Sequence, residues 1–153
     1  MQEEQYSSHR WIIQAMLMLL QVGMGLNFMA PTPLFPVIMD EFEISRSAVS
    51  LLVSATIIVI TVALLPGGLL IAKMGSKRSM TVAGLFMSAH LLTPLIDSFA
   101  LLVAIRLLFG MGVAITIPAT SAIIMEWFKP SELPLLNGIT EAGRSLGVAV
   151  GVF

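Results

Sequence analysis

Four apolar runs of about 20 residues, each long enough to cross a hydrocarbon core of roughly 30 Å, restrict this chain more than any other feature. Lipid offers a backbone no hydrogen-bond partner, so the runs must be helices. They are expected at about 11–30, 48–72, 79–95 and 99–125; a fifth begins near residue 135 and is still apolar at Phe153, as in a helix that is cut off. Residues 1–10 are polar and include Glu3 and Glu4, and no convincing cleavage site follows them. The first run therefore reads as a retained helix and not a signal peptide. The organisation expected is a cytoplasmic segment at 1–10 followed by one transmembrane domain at 11–153.

Composition agrees and excludes other classes. The chain is 57% hydrophobic and 11% charged, against roughly 25% charged in soluble domains, and its mean hydropathy is +0.95. A net charge of -1 gives no footprint for nucleic acid, and the absence of cysteine removes disulfides, thiolate metal sites and a cysteine nucleophile. Polar residues punctuate the runs. Pro31, Pro33 and Pro36 are placed to kink the outer end of the first helix, and Asp40, Glu41 and Glu43 mark water beyond it. Ser45 or Ser47 can cap the second helix. Pro94 and Asp97 close the third, and Glu126 to Pro130 return the fourth to an interface. Arg10, Lys73, Lys77, Arg78 and Lys129 fall on one side and Arg46 alone on the other, so the amino terminus is expected in the cytoplasm. Trp11 and Trp127 then lie at the inner interface.

Between the second and third runs, Gly67-Gly68-Leu69-Leu70-Ile71-Ala72-Lys73-Met74-Gly75-Ser76-Lys77-Arg78 places three cations in six residues on a short, glycine-containing turn. This turn resembles the loop pattern Gly-x-Leu-Ala-Asp-Arg-x-Gly-Arg-Lys of the major facilitator superfamily, with Gly68, Leu70, Lys73, Gly75 and Lys77 in register. The pattern's Asp falls on Ala72 and its second Arg on Ser76; Arg78 lies one place beyond. In the fourth run, Arg106-Leu107-Leu108-Phe109-Gly110-Met111-Gly112 is similar to the family's Arg-x-x-x-Gly-x-Gly. The stretch from Pro33-Leu34-Phe35-Pro36 through Glu41-Phe42 to Ser45 resembles the nitrate and cyanate transporter branches, although 48–72 lacks the arginine with which the nitrate branch holds its anion. A proline of the proton-antiporter branches is replaced by Val148. The resemblance implies an all-α polytopic membrane protein forming part of a six-helix half, in a bacterial plasma (inner) membrane. It also implies gradient-driven transport by two halves rocking about a central site, with a second half as partner. In such proteins the loop at Gly68, Lys73, Gly75, Lys77 and Arg78 stabilises one state of that motion.

Within the helices, charge and small residues carry the remaining information. An arginine at the bilayer centre costs about 2.5–3.5 kcal/mol on insertion scales. Arg106 must therefore either snorkel to the outer interface or face a central cavity, where it can steer an anion or couple to a carboxylate. Asn137, Glu141 and Arg144 share one helical face at i, i+4 and i+7, and Glu141 can pair with Arg144. That face reads either as a substrate site near mid-membrane or as an internal ion pair. Gln14, Gln21, Gly23, Gly25 and Asn27 can line a cavity or bond across helices. Gly110 and Gly112, with Ala114 and Pro118, give one helix a small surface, and Gly143, Gly147 and Gly151 do the same for another. His90, alone in the third run, reads as a packing residue more than a proton relay.

No cofactor is expected: one histidine and one carboxylate at bilayer depth make no metal site, no serine has a base at helical spacing, and no loop cradles a phosphate. Two functions fit. One is a secondary transporter for a small anion or carboxylate, with a proton or ion as possible coupling partner, because two arginines against one glutamate leave the half-site positive. The other is a membrane scaffold or assembly partner without transport.

Overall fold

The computed structural model describes residues 9–153; the expected amino-terminal segment lies outside them except for His9 and Arg10, which open the first helix. Helix α1 (His9–Met29) bends into α2 (Phe35–Phe42). Pro31 and Pro33 have no N–H to continue the α-helical ladder, and a tight turn, Leu34 N–H to the Pro31 carbonyl at 3.0 Å, takes over. Glu43 ends α2 in the left-handed region at φ 48°. The Ser45 hydroxyl then accepts from the Ala48 N–H at 3.2 Å and caps α3 (Arg46–Val49), which leads into α4 (Leu51–Met74). Gly75, at φ 80°, turns the chain into α5 (Ser76–Ser88). Helix α6 (Phe99–Trp127) and α7 (Leu133–Gly151) complete the bundle.

The third helix departs from expectation. It starts at Ser76 and its outer part, Ala89–Leu95, is wound as 3-10 helix. Pro94 cannot donate an α-helical bond, and the residues before it adopt the tighter winding. Three stretches are long and apolar enough to cross a membrane by themselves: 9–42, 46–74 and 99–127. The third of the four runs expected is present among the described residues as α5 followed by the 3-10 segment, and does not reach that length as one continuous helix. Helix α5 carries Ser76, Lys77, Arg78 and Ser79, while α7 carries Asn137, Thr140, Glu141, Arg144 and Ser145. Both lower their hydropathy with polar groups and lie against a more apolar neighbour, α5 on α6 and α7 on α1.

Close backbone approach holds these pairs together. A Cβ on Gly147 would sit 2.0 Å from the Val22 carbonyl oxygen, one on Gly25 2.1 Å from that of Arg144, and one on Gly151 2.6 Å from that of Leu26. No side chain fits there, so α1 and α7 meet main chain to main chain, as lipid-embedded helices do when small residues line the contact. Gly67 and Gly110 let α4 and α6 approach in the same way, at 2.7 Å from the Ala114 oxygen and 3.0 Å from the Thr56 oxygen. Gly112 does so for α5, at 2.8 Å from the Ala83 oxygen. Two buried apolar clusters join the pairs, Leu17 with Ile124, Phe128 and Leu136, and Met24 with Phe109 and Val113. Large side chains such as Ile58, Val62, Leu65 and Leu91 are exposed, as lipid-facing residues are.

The basic end is tied by polar and aromatic contacts. Arg10 pairs with Glu132 at 3.0 Å, Trp11 meets Phe128 edge-on at 5.6 Å, and the Ser76 hydroxyl donates to Glu126 at 2.7 Å. Ser76 is consequently buried, whereas Lys77 is exposed.

Two outcomes are expected. Lys77→Cys is labelled by an impermeant maleimide only from the cytoplasm and Ser47→Cys only from outside; labelling of both from one side contradicts the α4 crossing. Gly147→Ala forces α1 and α7 apart and lowers stability by about 1–3 kcal/mol in detergent melts, while Gly138→Ala, which meets open space, leaves the melt unchanged or raises it.

Candidate functional site

Two cavities share no lining residue. The first, about 400 Å³, lies among α1, α4, α6 and α7. Met24, Phe28, Ile57, Ile60, Val113 and Ile117 give it an apolar wall, and Thr61, Ser145 and Arg144 supply its polar groups. Arg144 reaches it because Gly25 and Gly147 bring α7 against α1 at this level. Its guanidinium pairs with Glu141 one turn back on α7. Glu141 itself does not line the cavity, so Arg144 is the sole charged lining residue. The Thr61 and Ser145 hydroxyls each donate to a carbonyl of their own helix, at 2.9 and 3.0 Å, so the fixed cation is the group in this apolar chamber that can hold a small anion.

The second cavity, about 360 Å³, opens at the acidic end between the α1–α2 bend, α4, the 3-10 segment and α6. Arg106, His90, Glu41 and Asp97 bring the ionisable groups, and Pro31, Phe42, Leu52 and Ile105 much of the apolar wall. Arg106 is only 4% exposed. Its Nη1 donates to the Asn27 carbonyl at 2.9 Å, and the reason lies in the sequence. In a straight helix that carbonyl would accept from the N–H four residues on, and residue 31 is a proline. The arginine of α6 thus fills the vacancy the proline leaves in α1. Arg106 is buried at the edge of this cavity, and the two arginines lie in different chambers.

The other candidates divide by depth. Asn27 contributes its main-chain carbonyl, while its side chain bonds the Gly23 carbonyl at 3.0 Å. Gln21 is fully buried and lines neither cavity. Asn137 accepts from Ser121 at 3.2 Å, linking α6 to α7. Gln14 donates to Thr140 at 2.9 Å, linking α1 to α7. Of the residues expected in the loop, Gly68 and Lys73 lie in α4 and Lys77 and Arg78 in α5, with Gly75 between the helices; a Cβ on Gly68 or Gly75 would meet open space, and Lys73, Lys77 and Arg78 are exposed. Gly143, Gly147 and Gly151 contact α1, Gly110 contacts α4 and Gly112 contacts α5. Sequence reasoning did not single out Thr61, Ser145 or the apolar wall of the first chamber; nothing in one helix's pattern says which of its residues face a gap between helices. Among the described residues no cluster suits a metal ion.

The apolar cluster of Met24, Phe109 and Val113, with Phe28, Ile60 and Ile117 packed on it, stands between the chambers. Met24, Phe28, Ile60, Val113 and Ile117 of this cluster line the first cavity, while Phe109 lines neither and touches His90 and Arg106 of the second. The His90 ring lies 4.8 Å from the Phe109 ring and the Arg106 Cζ 5.7 Å from it.

Comparison with known proteins accords with this architecture. Sialin from Ovis aries is 37% identical over 92 residues, 58% of this chain and 18% of that protein. The hexuronate transporter of Bacillus subtilis is 29% identical over 119 residues, 75% of this chain and 28% of its own. Probable anion transporter 5 of Arabidopsis thaliana is 28% identical over 121 residues, with 78% and 28% covered. The chain therefore spans less than a third of the length of each of these relatives. No solved structure matches it. Residues 17–153 match the family model of the Major Facilitator Superfamily, and this all-α, membrane-embedded chain belongs to that family of transporters.

Proposed function

We propose that this protein carries a small organic anion across a plasma membrane by gradient-driven alternating access, with the first cavity as its half of the substrate site. The observation that carries the reading is Arg144, the one charge lining an otherwise apolar chamber. In such surroundings a cation's field is weakly screened, and a carboxylate is favoured over a cation or a neutral solute. Glu141 offsets the guanidinium when the chamber is empty and gives it up, in part, to the substrate. Two of the relatives, a hexuronate transporter and a probable anion transporter by name, support the same class. The greater length of those relatives fits a second helical half closing the site. Arg10, Lys73, Lys77, Arg78 and Lys129 would face a bacterial cytoplasm. The loop after α4 would then steady one state, and where the family pattern has Asp this chain has Ala72.

The test uses the whole reading frame that carries this chain, in proteoliposomes. Arg144→Ala abolishes uptake of a small carboxylate, Arg144→Lys retains part of it if the contact is not bidentate, and Glu141→Gln has a milder effect on affinity or coupling. Uptake of an organic cation that survives Arg144→Ala and is lost in Glu141→Gln reverses the charge assignment. Ala72→Asp adds a carboxylate able to accept charge-assisted hydrogen bonds from neighbouring helix ends, and shifts the population toward the state closed to the cytoplasm. Unchanged distances between spin labels on the two halves would contradict that role for the loop.

A further inference from the structure

The first cavity constrains the body of its cargo as well as its charge. Thr61 and Ser145 have spent their hydrogens on carbonyls of their own helices, and the surrounding main chain has spent its donors in the helical ladder. Among the described residues, then, Arg144 is the one lining side chain with hydrogen-bond donors to offer, and the rest of the wall is apolar. Met24 and Phe28 lie four residues apart on one face of α1 and offer a thioether and a ring, surfaces that favour another ring. Helices α1 and α7 run parallel, with Met18 beside Gly143 and Val22 beside Gly147. The Arg144 guanidinium reaches back to Glu141, toward the basic end, whereas Phe28 and Val148 lie about one turn the other way from Gly25 and Arg144.

We propose that this cavity takes a monocarboxylate with an apolar ring as its body, an aryl acid such as benzoate, in preference to a hydroxylated or doubly charged acid. The inference rests on the reading of Arg144 as the anion's ligand and adds the class of the body. A carboxylate seated on the guanidinium directs the rest of the molecule along Phe28 and Val148, where it meets carbon and sulfur. A ring gains there from leaving water. The hydroxyls of a sugar acid would leave water and find only the lone pairs of Thr61 and Ser145, and buried polar groups without partners are penalised. A second carboxylate is worse placed still. Arg144 is the sole charged lining residue, and Glu141, one turn back, would repel a second anion. The space suffices for a ring, because about 400 Å³ falls within the range of sites that enclose small organic ligands.

For the test, the whole reading frame that carries this chain is purified into lipid nanodiscs, and binding of benzoate, D-glucuronate and phthalate is measured above neutral pH, where all three are ionised. Benzyl alcohol, the same ring without a charge, reports partition into lipid. Benzoate is expected to bind about a hundredfold or more tighter than D-glucuronate, with phthalate weaker than benzoate and benzyl alcohol no different from empty discs. Arg144→Ala abolishes benzoate binding. Ile57→Asn sets an amide in the wall, weakens benzoate and strengthens D-glucuronate, so their ratio falls about tenfold or more; a protein that merely unfolds loses both ligands together. Phe28→Leu, which keeps an apolar wall without its ring, weakens benzoate and leaves D-glucuronate unmoved. D-Glucuronate or phthalate bound as tightly as benzoate, with all binding lost in Arg144→Ala, overturns the inference and leaves the anion reading in place. A ratio unmoved by both wall variants overturns it likewise. Benzoate binding that survives Arg144→Ala, or is matched by benzyl alcohol, sinks the anion reading and the inference with it.

Discussion

Main chain resting on main chain, where Gly147 meets the Val22 carbonyl and Gly25 meets that of Arg144, is the constraint on which this structure depends. In lipid there is no hydrophobic force to press helices together, because the solvent is as apolar as the side chains. What remains is dispersion over surfaces close enough to gain from it, and glycine makes those surfaces. The pairing of α1 with α7 fixes the rotation of α7, and the rotation of α7 delivers Arg144 to the wall of the first chamber. The α4–α6 contact does the equivalent for Arg106. Pro118 belongs to the same economy of space: it leaves the Ala114 carbonyl without its helical donor, and Gly67 lets α4 close over that oxygen.

The buried charges are compensated by different means. Arg144 has a carboxylate on its own helix, a local solution that leaves the pair accessible. Arg106 has a backbone carbonyl from another helix, freed by a proline. A hydrogen bond to a neutral carbonyl satisfies geometry without cancelling charge, and the carboxylates of Glu41 and Asp97 line the same chamber without an ion pair to Arg106. This contrast explains how one bundle holds two arginines in separate chambers without either being neutralised completely.

Much of this was legible in the sequence, for physical reasons that can be named. Apolar length predicted the α1, α4 and α6 crossings because lipid forbids open backbone, and Ser45 was identifiable as a cap from its place before an apolar run. The spacing of Glu141 and Arg144 required a pair on one face, and the glycine spacings marked close contacts. The sequence did not say which chamber an arginine enters, because depth and rotation arise from neighbours many residues away. The unwinding at Ala89–Leu95 was hidden because Pro94 signals an end and not the winding of the turn before it. Burial of Ser76 was invisible too: its partner Glu126 lies 50 residues on, at the far end of α6.

The bend between α1 and α2 has a mechanical consequence. Helix α2 contributes no buried residue to the bundle, yet the segment from Ala30 to Phe42 forms one wall of the outer chamber. Its ring contact with the bundle is Phe42 on Phe99 at 6.3 Å. The mouth of that chamber therefore hangs on a proline hinge, and swinging it exposes no core side chain of α2. The glycine-locked helices beneath behave as a chassis, and the access route above them can change width without straining it.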